Sequence, residues 1–430
     1  MKNRIIYYIV IALIILPLIS GCTDTNSPEI ENITEGEILT AQSEISNIIE
    51  TTTESTTQEV TAEEPATTEP AGPVLVPASD FEYTVGEDGG VIVEKYNGND
   101  ENIIIPDTID NKSVTSIEQT GFQGCKNLKS IYIPSGITNI GSRIFWECPN
   151  LYAIEVSADN PEYSSVDGVL FNKYKTVLLQ YPAGNIRTDY TTPNSVKTID
   201  DAAFNYCQYL IDLSVSDSVT DIAQFAFVEG VSIRNIFIGS GVETIEYRAF
   251  INTINLLSIT VSENNSNFVS IDGVLYNKNK TQLIQYPGAR AELSYIIPNG
   301  ITCIEGYAFH YCRNLENITF PDGLEEIGYA SFEECSKITK IVLPETLKTI
   351  DMWAFKHGGI EEITIPAGVV SISGHAFECY ELRNITILAK DIDISEDAFY
   401  GVSNLTIHGY KGSSVETYAK ENNFKFVEIE

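Results

Sequence analysis

Eight cysteines and four histidines hold most of the reactive chemistry this chain could offer, and their spacing limits what that chemistry can be. Cys125, Cys148, Cys207, Cys312 and Cys335 each stand three residues after a phenylalanine. If successive copies of that segment stack about 4.8 Å apart, neighbouring thiols fall within disulfide range. The same position holds Gly230 and Thr253 elsewhere, so it selects for small size, and buried free thiols are expected. His310, His357, His375 and His408 show no second Cys or His pair at a metal-ligand interval. His357-Gly358-Gly359 has the composition of an oxyanion loop, but no G-x-S-x-G elbow accompanies it, so it reads as a shortened turn. The acidic clusters at Asp100-Glu101 and Asp391 to Asp397 lack the ligand spacing of a calcium loop. The chain contains neither a P-loop nor a dinucleotide fingerprint. No catalysis, cofactor or metal is expected, and hydrolysis by an unrecognised site is kept as an alternative.

Charge divides the 430 residues into three zones. Lys and Arg number 26 against 60 Asp and Glu, a formal net charge of −34. Such acidity excludes nucleic acid as a partner and basic-patch adhesion to anionic lipid. Residues 1–22 carry Lys2, Arg4 and no acid, and an apolar run from Ile5 to Ile19 follows. That pattern describes an export signal, too short for a usual membrane span of about 20 residues. Ile19-Ser20-Gly21-Cys22 resembles the lipobox of bacterial lipoproteins. The resemblance implies cleavage before Cys22, acylation of its thiol, and membrane contact only through that N-terminal lipid. Two acyl chains give stable anchoring where one is marginal.

Residues 23–80 carry thirteen acids and no Lys or Arg, in stretches such as Thr51-Thr52-Thr53-Glu54 and Glu63-Glu64-Pro65. This composition describes a disordered linker, with a coil reach of roughly 40–45 Å before charge repulsion lengthens it.

The remainder is a repeat. Phe122, Phe145, Phe204, Phe227, Phe250, Phe309, Phe332, Phe355, Phe377 and Phe399 mark its copies, at steps of 23 or 22 with two steps of 59. A period of 20–29 residues rich in Leu and Ile describes a leucine-rich solenoid. Each 59-residue step contains an extra 36-residue unit, and the two extra units match at an offset of 105. Val166-Asp167-Gly168-Val169-Leu170-Phe171-Asn172 pairs with Ile271-Asp272-Gly273-Val274-Leu275-Tyr276-Asn277, so a three-repeat block has been duplicated. Alternation around Asn172-Lys173 and Asn277-Lys278 reads as a β-hairpin in each insert. Expected boundaries are an N-terminal cap at 81–113, repeats at 114–410, hairpin inserts at about 157–193 and 262–298, and a C-terminal cap at 411–430. The fold class is a mostly β, α/β-type repeat solenoid with a parallel sheet on one face. The phenylalanines should form one ladder across the core.

The runs at 304–321 and 327–344, Ile-x-x-x-Ala-Phe-x-x-Cys-x-x-Leu-x-x-Ile-x-Ile-Pro with Ser331 and Ile338 as departures, resemble the BspA-type leucine-rich repeat of bacterial surface proteins. That resemblance covers about 81–430 and implies a surface-exposed protein, several relatives being adhesins. The leading expectation is a lipid-anchored surface module for an extracellular protein ligand. Glycan capture and a structural coat protein without a specific ligand are the alternatives.

Ligand contact is expected on outward strand positions eight and ten residues after each full-length repeat's phenylalanine, where inward neighbours are fixed by packing. The candidates are Tyr132, Glu155, Asp212, Asn235, Phe237, Thr260, Asn317, Lys340 and Val342. Tyr132, Phe237 and Val342 recur at 105, and counting three coils between neighbours places them roughly 14 Å apart.

Overall fold

The computed structural model describes residues 72–430, so the leader, Cys22 and most of the linker lie outside the described residues. Most coils contribute two short strands because apolar residues face inward at two places per repeat. The longer strand is Leu-x-x-Ile-x-Ile in sequence. In Asn235–Ile238, Ile236 and Ile238 are buried while Asn235 and Phe237 face out. It pairs in parallel with Asp212–Val215 on one side and Ser258–Val261 on the other, one coil per step. The second strand has only two residues. Thr198–Ile199, Asp221–Ile222 and Thr244–Ile245 form a second parallel ladder on another side of the coil, in addition to the expected sheet. Its strands are too short for an alternation to show in the sequence.

Between the second strand and the first, the chain turns around the phenylalanine. In most coils the residues two before and two after it are left-handed: Arg143 and Glu147 around Phe145, Phe225 and Glu229 around Phe227. Such backbone persists only where the surroundings hold it. Here stacking does so, since Phe204 N–H donates to Ala226 C=O and Phe227 N–H to Ala249 C=O in the next coil.

The single ladder expected from the phenylalanine spacing is instead three. Phe122 and Phe145 stack at 5.8 Å. A second run is Tyr181, Phe204, Phe227 and Phe250, with spacings of 5.3, 5.9 and 5.3 Å. The third starts at Tyr286 and runs through Phe309 and Phe332 to Phe399. Each break falls at an insert, and the buried apolar residues divide into three clusters there. Tyr181 and Tyr286 restore the ladder and lie one ordinary step of 23 before the next phenylalanine.

Each insert is a three-stranded antiparallel meander. Tyr163–Val166 pairs with Val169–Asn172, and that strand with Val177–Gln180, which rejoins the solenoid by pairing in parallel with Thr198–Ile199. The first turn, Asp167-Gly168, has both residues at positive φ, the conformation that fits a two-residue hairpin. Asp272-Gly273 repeats it. A buried asparagine ties each insert to the preceding coil. Asn160 Nδ2 donates to the Pro134 and Ile137 carbonyls, and its Oδ1 accepts from the Glu162 and Tyr163 amides.

At the N-terminal edge Val74–Leu75 pairs in parallel with Asn102–Ile104, and Val76 is buried. Residues 74–80 therefore join the folded body, within a segment that composition had given to the linker; two apolar residues beside a free strand edge outweigh acidic surroundings. At the other end, Ser413 caps the helix Ser414–Glu421, and Lys425–Glu428 extends the sheet beside Thr406–Gly409.

Candidate functional site

The nine candidate side chains all stand on exposed positions of the longer-strand face. The structure brings some together in pairs. Tyr132 is the register partner of Glu155, which also accepts from Ser165 of the first insert at 3.4 Å. Asn235 donates to Asp212 across one coil step at 2.7 Å. Phe237 lies between Ser214 and Thr260. Asn317 donates to Ser294 at 3.4 Å.

Tyr132, Phe237 and Val342 are not brought together. The face is cut into separate sheets by the inserts and by a gap after Asn317–Thr319. Tyr132 and Phe237 stand four coil steps apart, not three, because the insert contributes a coil of its own through Asp189–Thr191. The step from Ala153–Val156 to Asp189–Thr191 is not a strand pairing, since the Ile154 amide donates to Gly168 of the insert, so the roughly 14 Å count of three paired steps does not hold.

Lys340 and Val342 differ from the strand placement expected for them. The segment 340–343 is not a strand and keeps a single parallel bridge, Lys340 to Glu362, with Nζ 3.7 Å from the carboxylate. This gap falls next to the repeat that shortens to 22 residues, Phe355 to Phe377. Ile341 and Leu343 are 7% and 6% exposed, where Ile236 and Ile238 are 1% and 0%, so packing is looser here. The result is an open depression of about 390 Å³ bordered by Lys340, Val342, Glu362, Thr364 and Asn384, with Val342 85% exposed.

A second constellation, absent from the sequence reading, occupies the phenylalanine turns. The left-handed residue two before the phenylalanine is often aromatic or cationic: Arg143, Phe225, Arg248, Tyr307, Trp353 and His375. That recurring type is the signal the sequence carries for it, set beside the more regular buried phenylalanines. Tyr307, Tyr329 and Trp353 contact one another in sequence at 5.4 and 5.2 Å, and His375 and Tyr400 continue the row. Beside it runs a seam in which carboxylates face histidines and Lys356. Glu333 lies between His310 and Lys356, and Glu378 between His357 and His375. His357 sits in a left-handed turn with Nδ1 3.0 Å from Glu334, the place of a repeat turn and not of an oxyanion loop. Among the described residues no group of three or more His, Cys, Asp or Glu is placed to hold a metal ion.

Stacked coils of 22–23 residues with a Leu-Ile strand face define a leucine-rich-repeat solenoid. The chain belongs to the BspA type leucine rich repeat region family, whose model matches residues 96–177, 184–288 and 289–406 in six copies. Among solved structures it is similar to a leucine rich cell surface protein from Faecalibacterium prausnitzii A2-165. That likeness has 26% identity and a TM-score of 0.56 over 79% of this chain and 95% of that one. The pneumococcal vaccine antigen PcpA shares the fold at 22% identity and a TM-score of 0.54, over 83% of this chain and 98% of that one. No curated protein sequence matches the chain. Proteins of this fold serve as interaction modules and are not typically enzymes.

Proposed function

We propose that this protein is a lipid-anchored cell-surface module that binds an extracellular protein, with adhesion as its role. The observation that carries the binding part is the outward strand face. Its small polar residues are punctuated by exposed Tyr132 and Phe237, a residue type concentrated at binding hot spots. Val342 adds an apolar knob beside the 390 Å³ depression. The anchoring part rests on Ile19-Ser20-Gly21-Cys22 after a charged, apolar leader.

Two measurements test the two parts separately. Replacing Cys22 with Ser should leave the leader uncleaved or release the protein to the medium; firm membrane retention of a processed C22S chain would refute the anchor. For binding, Tyr132→Ala and Phe237→Ala should weaken capture of extracellular proteins while holding stability within about 0.5 kcal/mol. Unchanged capture by the double variant would move contact to the inserts.

A further inference from the structure

The duplicated blocks differ at this turn among others, and the difference leaves an arginine without the carboxylate that its counterpart holds. At the offset of 105, Arg143 corresponds to Arg248, Ser142 to Tyr247 and Asp201 to Gly306. In both blocks the insert coil reaches its ladder tyrosine three residues after its strand leucine, Leu178 to Tyr181 and Leu283 to Tyr286. The coil that follows takes five, Ile304 to Phe309. The short coil lacks the outward turn residues and leaves a notch between the coils on either side.

In the first block the protein fills that notch itself. Arg143 reaches across to Asp201 with two hydrogen bonds, Nε to Oδ2 at 2.9 Å and Nη2 to Oδ1 at 3.1 Å. Phe225 lies over the guanidinium at 4.6 Å. In the second block the notch is a cleft of about 220 Å³ with Tyr247, Arg248 and Tyr307 on its walls and Phe268 and Gln285 deeper in. Gly306 stands where the aspartate was. A Cβ there would lie 2.5 Å from the Tyr247 ring, so the tyrosine and the glycine are one coupled exchange.

Arg248 is left among rings, with the Tyr247 side chain as a hydrogen-bonding neighbour but no carboxylate. Tyr247, Tyr329, Tyr307 and Phe225 lie 4.8, 5.4, 5.5 and 5.8 Å from its guanidinium carbon. Among the described residues no carboxylate makes an ion pair with it, and its Nε is buried without a hydrogen-bond partner. Ring faces attract the cation but accept no strong hydrogen bond from its edge, and an unmet buried donor is costly. Other polar groups at the cleft are already committed. Gln285 donates to the Tyr286 carbonyl, Asn277 to Thr281, and Glu246 accepts from the Gln224 amide. Glu305 also lines the cleft, and burial raises the pKa of its carboxyl.

We propose that this cleft receives an aspartate or glutamate side chain of a protein partner, whose carboxylate forks onto Arg248 as Asp201 does onto Arg143. This rests on the reading of the chain as a protein-binding module and supplies the chemistry of one contact. Arg is suited to it because its planar fork matches a carboxylate with two parallel bonds.

The test follows the Arg248 Nε–H resonance of the full chain by NMR during titration with N-acetyl-aspartate amide. N-acetyl-asparagine amide and glucuronate serve as comparison probes. Saturable movement with the aspartate probe and none with the asparagine probe is expected. Arg248→Lys, which keeps the charge and loses the fork, should weaken binding at least tenfold without changing the melting temperature appreciably. The double variant Tyr247→Ser/Gly306→Asp transplants the first block's pair; it should abolish binding and raise the melting temperature. An unmoved resonance, or equal movement with the asparagine probe, overturns the proposal. Movement with glucuronate alone overturns it in favour of an acidic sugar. None of these outcomes depends on Tyr132, Phe237 or Cys22, so failure here is separable from failure of the proposed function.

Discussion

The seven cysteines of the solenoid are free thiols, and their surroundings rank their reactivity. Cys148, Cys335 and Cys379 donate to the phenylalanine carbonyl of the preceding coil, at 3.0, 3.0 and 2.9 Å. That explains why the slot accepts Thr or Gly as readily as Cys: a small residue fits, and a weak donor is a bonus. Burial pushes the Cys303 and Cys379 thiols up to about 12 and Cys207 higher still. Cys125 is the exception. It is half-buried, and the neighbouring Cys148 thiol holds its own below the ordinary value. Since the thiolate is the nucleophile, iodoacetamide at pH 8 should label Cys125 first and leave Cys207 unlabelled until the protein unfolds. Peptide mass spectrometry reads this directly, and equal labelling of the two would contradict it.

Glu333 ties residue chemistry to stability. Burial alone would raise its pKa, but His310 at 3.5 Å and Lys356 at 3.1 Å outweigh it and hold the carboxyl below its usual value. A carboxyl depressed in the fold stabilises above its unfolded pKa, about 4.3, and that contribution fades as pH falls through the folded value. Glu333→Gln should therefore lower the melting temperature at pH 7. The gap to wild type should close below about pH 4, and a pH-independent gap would mean that only packing had been lost.

Elements were legible in proportion to how often their pattern repeats. The longer strand recurs with inward Ile or Leu in nearly every coil, so its position could be read from Leu128 to Ile133 alone. The two-residue strands, the tyrosines that complete the ladder and the strand gap at 340–343 each depend on stacking, which a single repeat does not encode. Asn160 and Asn265 are an intermediate case: the offset of 105 relates them, but only burial reveals that Asn265 repeats Asn160's four hydrogen bonds. Removing such a side chain orphans two amides and two carbonyls, at about 1–3 kcal/mol each where water cannot replace it. Asn265→Ala should detach the second insert locally, read as lost hydrogen-exchange protection at 268–277. Phe227→Ala, in the middle of its ladder, should cost about 3–5 kcal/mol and loosen the coils of both Phe204 and Phe250.

At the scale of the whole molecule, stability is a sum over neighbouring coils, so the ends decide whether the last coils stay folded. Both ends are covered by aromatic residues from outside the repeat. Phe81 and Tyr96 pack on Phe122 at 6.4 and 5.5 Å, and Tyr418 and Phe424 pack on Phe399, each at 6.0 Å. The C-terminal cap also pairs Lys425–Glu428 with Thr406–Gly409, which hides a strand edge. Deleting residues 411–430 would expose the Phe399 ring together with that unpaired edge, and a bare edge invites pairing with another chain. Its effects should be graded along the solenoid. Amides between Phe377 and Ile407 should lose hydrogen-exchange protection first, while those of the Phe204 to Phe250 run, in a separate apolar cluster, keep theirs. Self-association of the truncated chain should rise with concentration. A uniform loss of protection from end to end would show that the three cores melt as one unit, and that the inserts do not divide the molecule energetically.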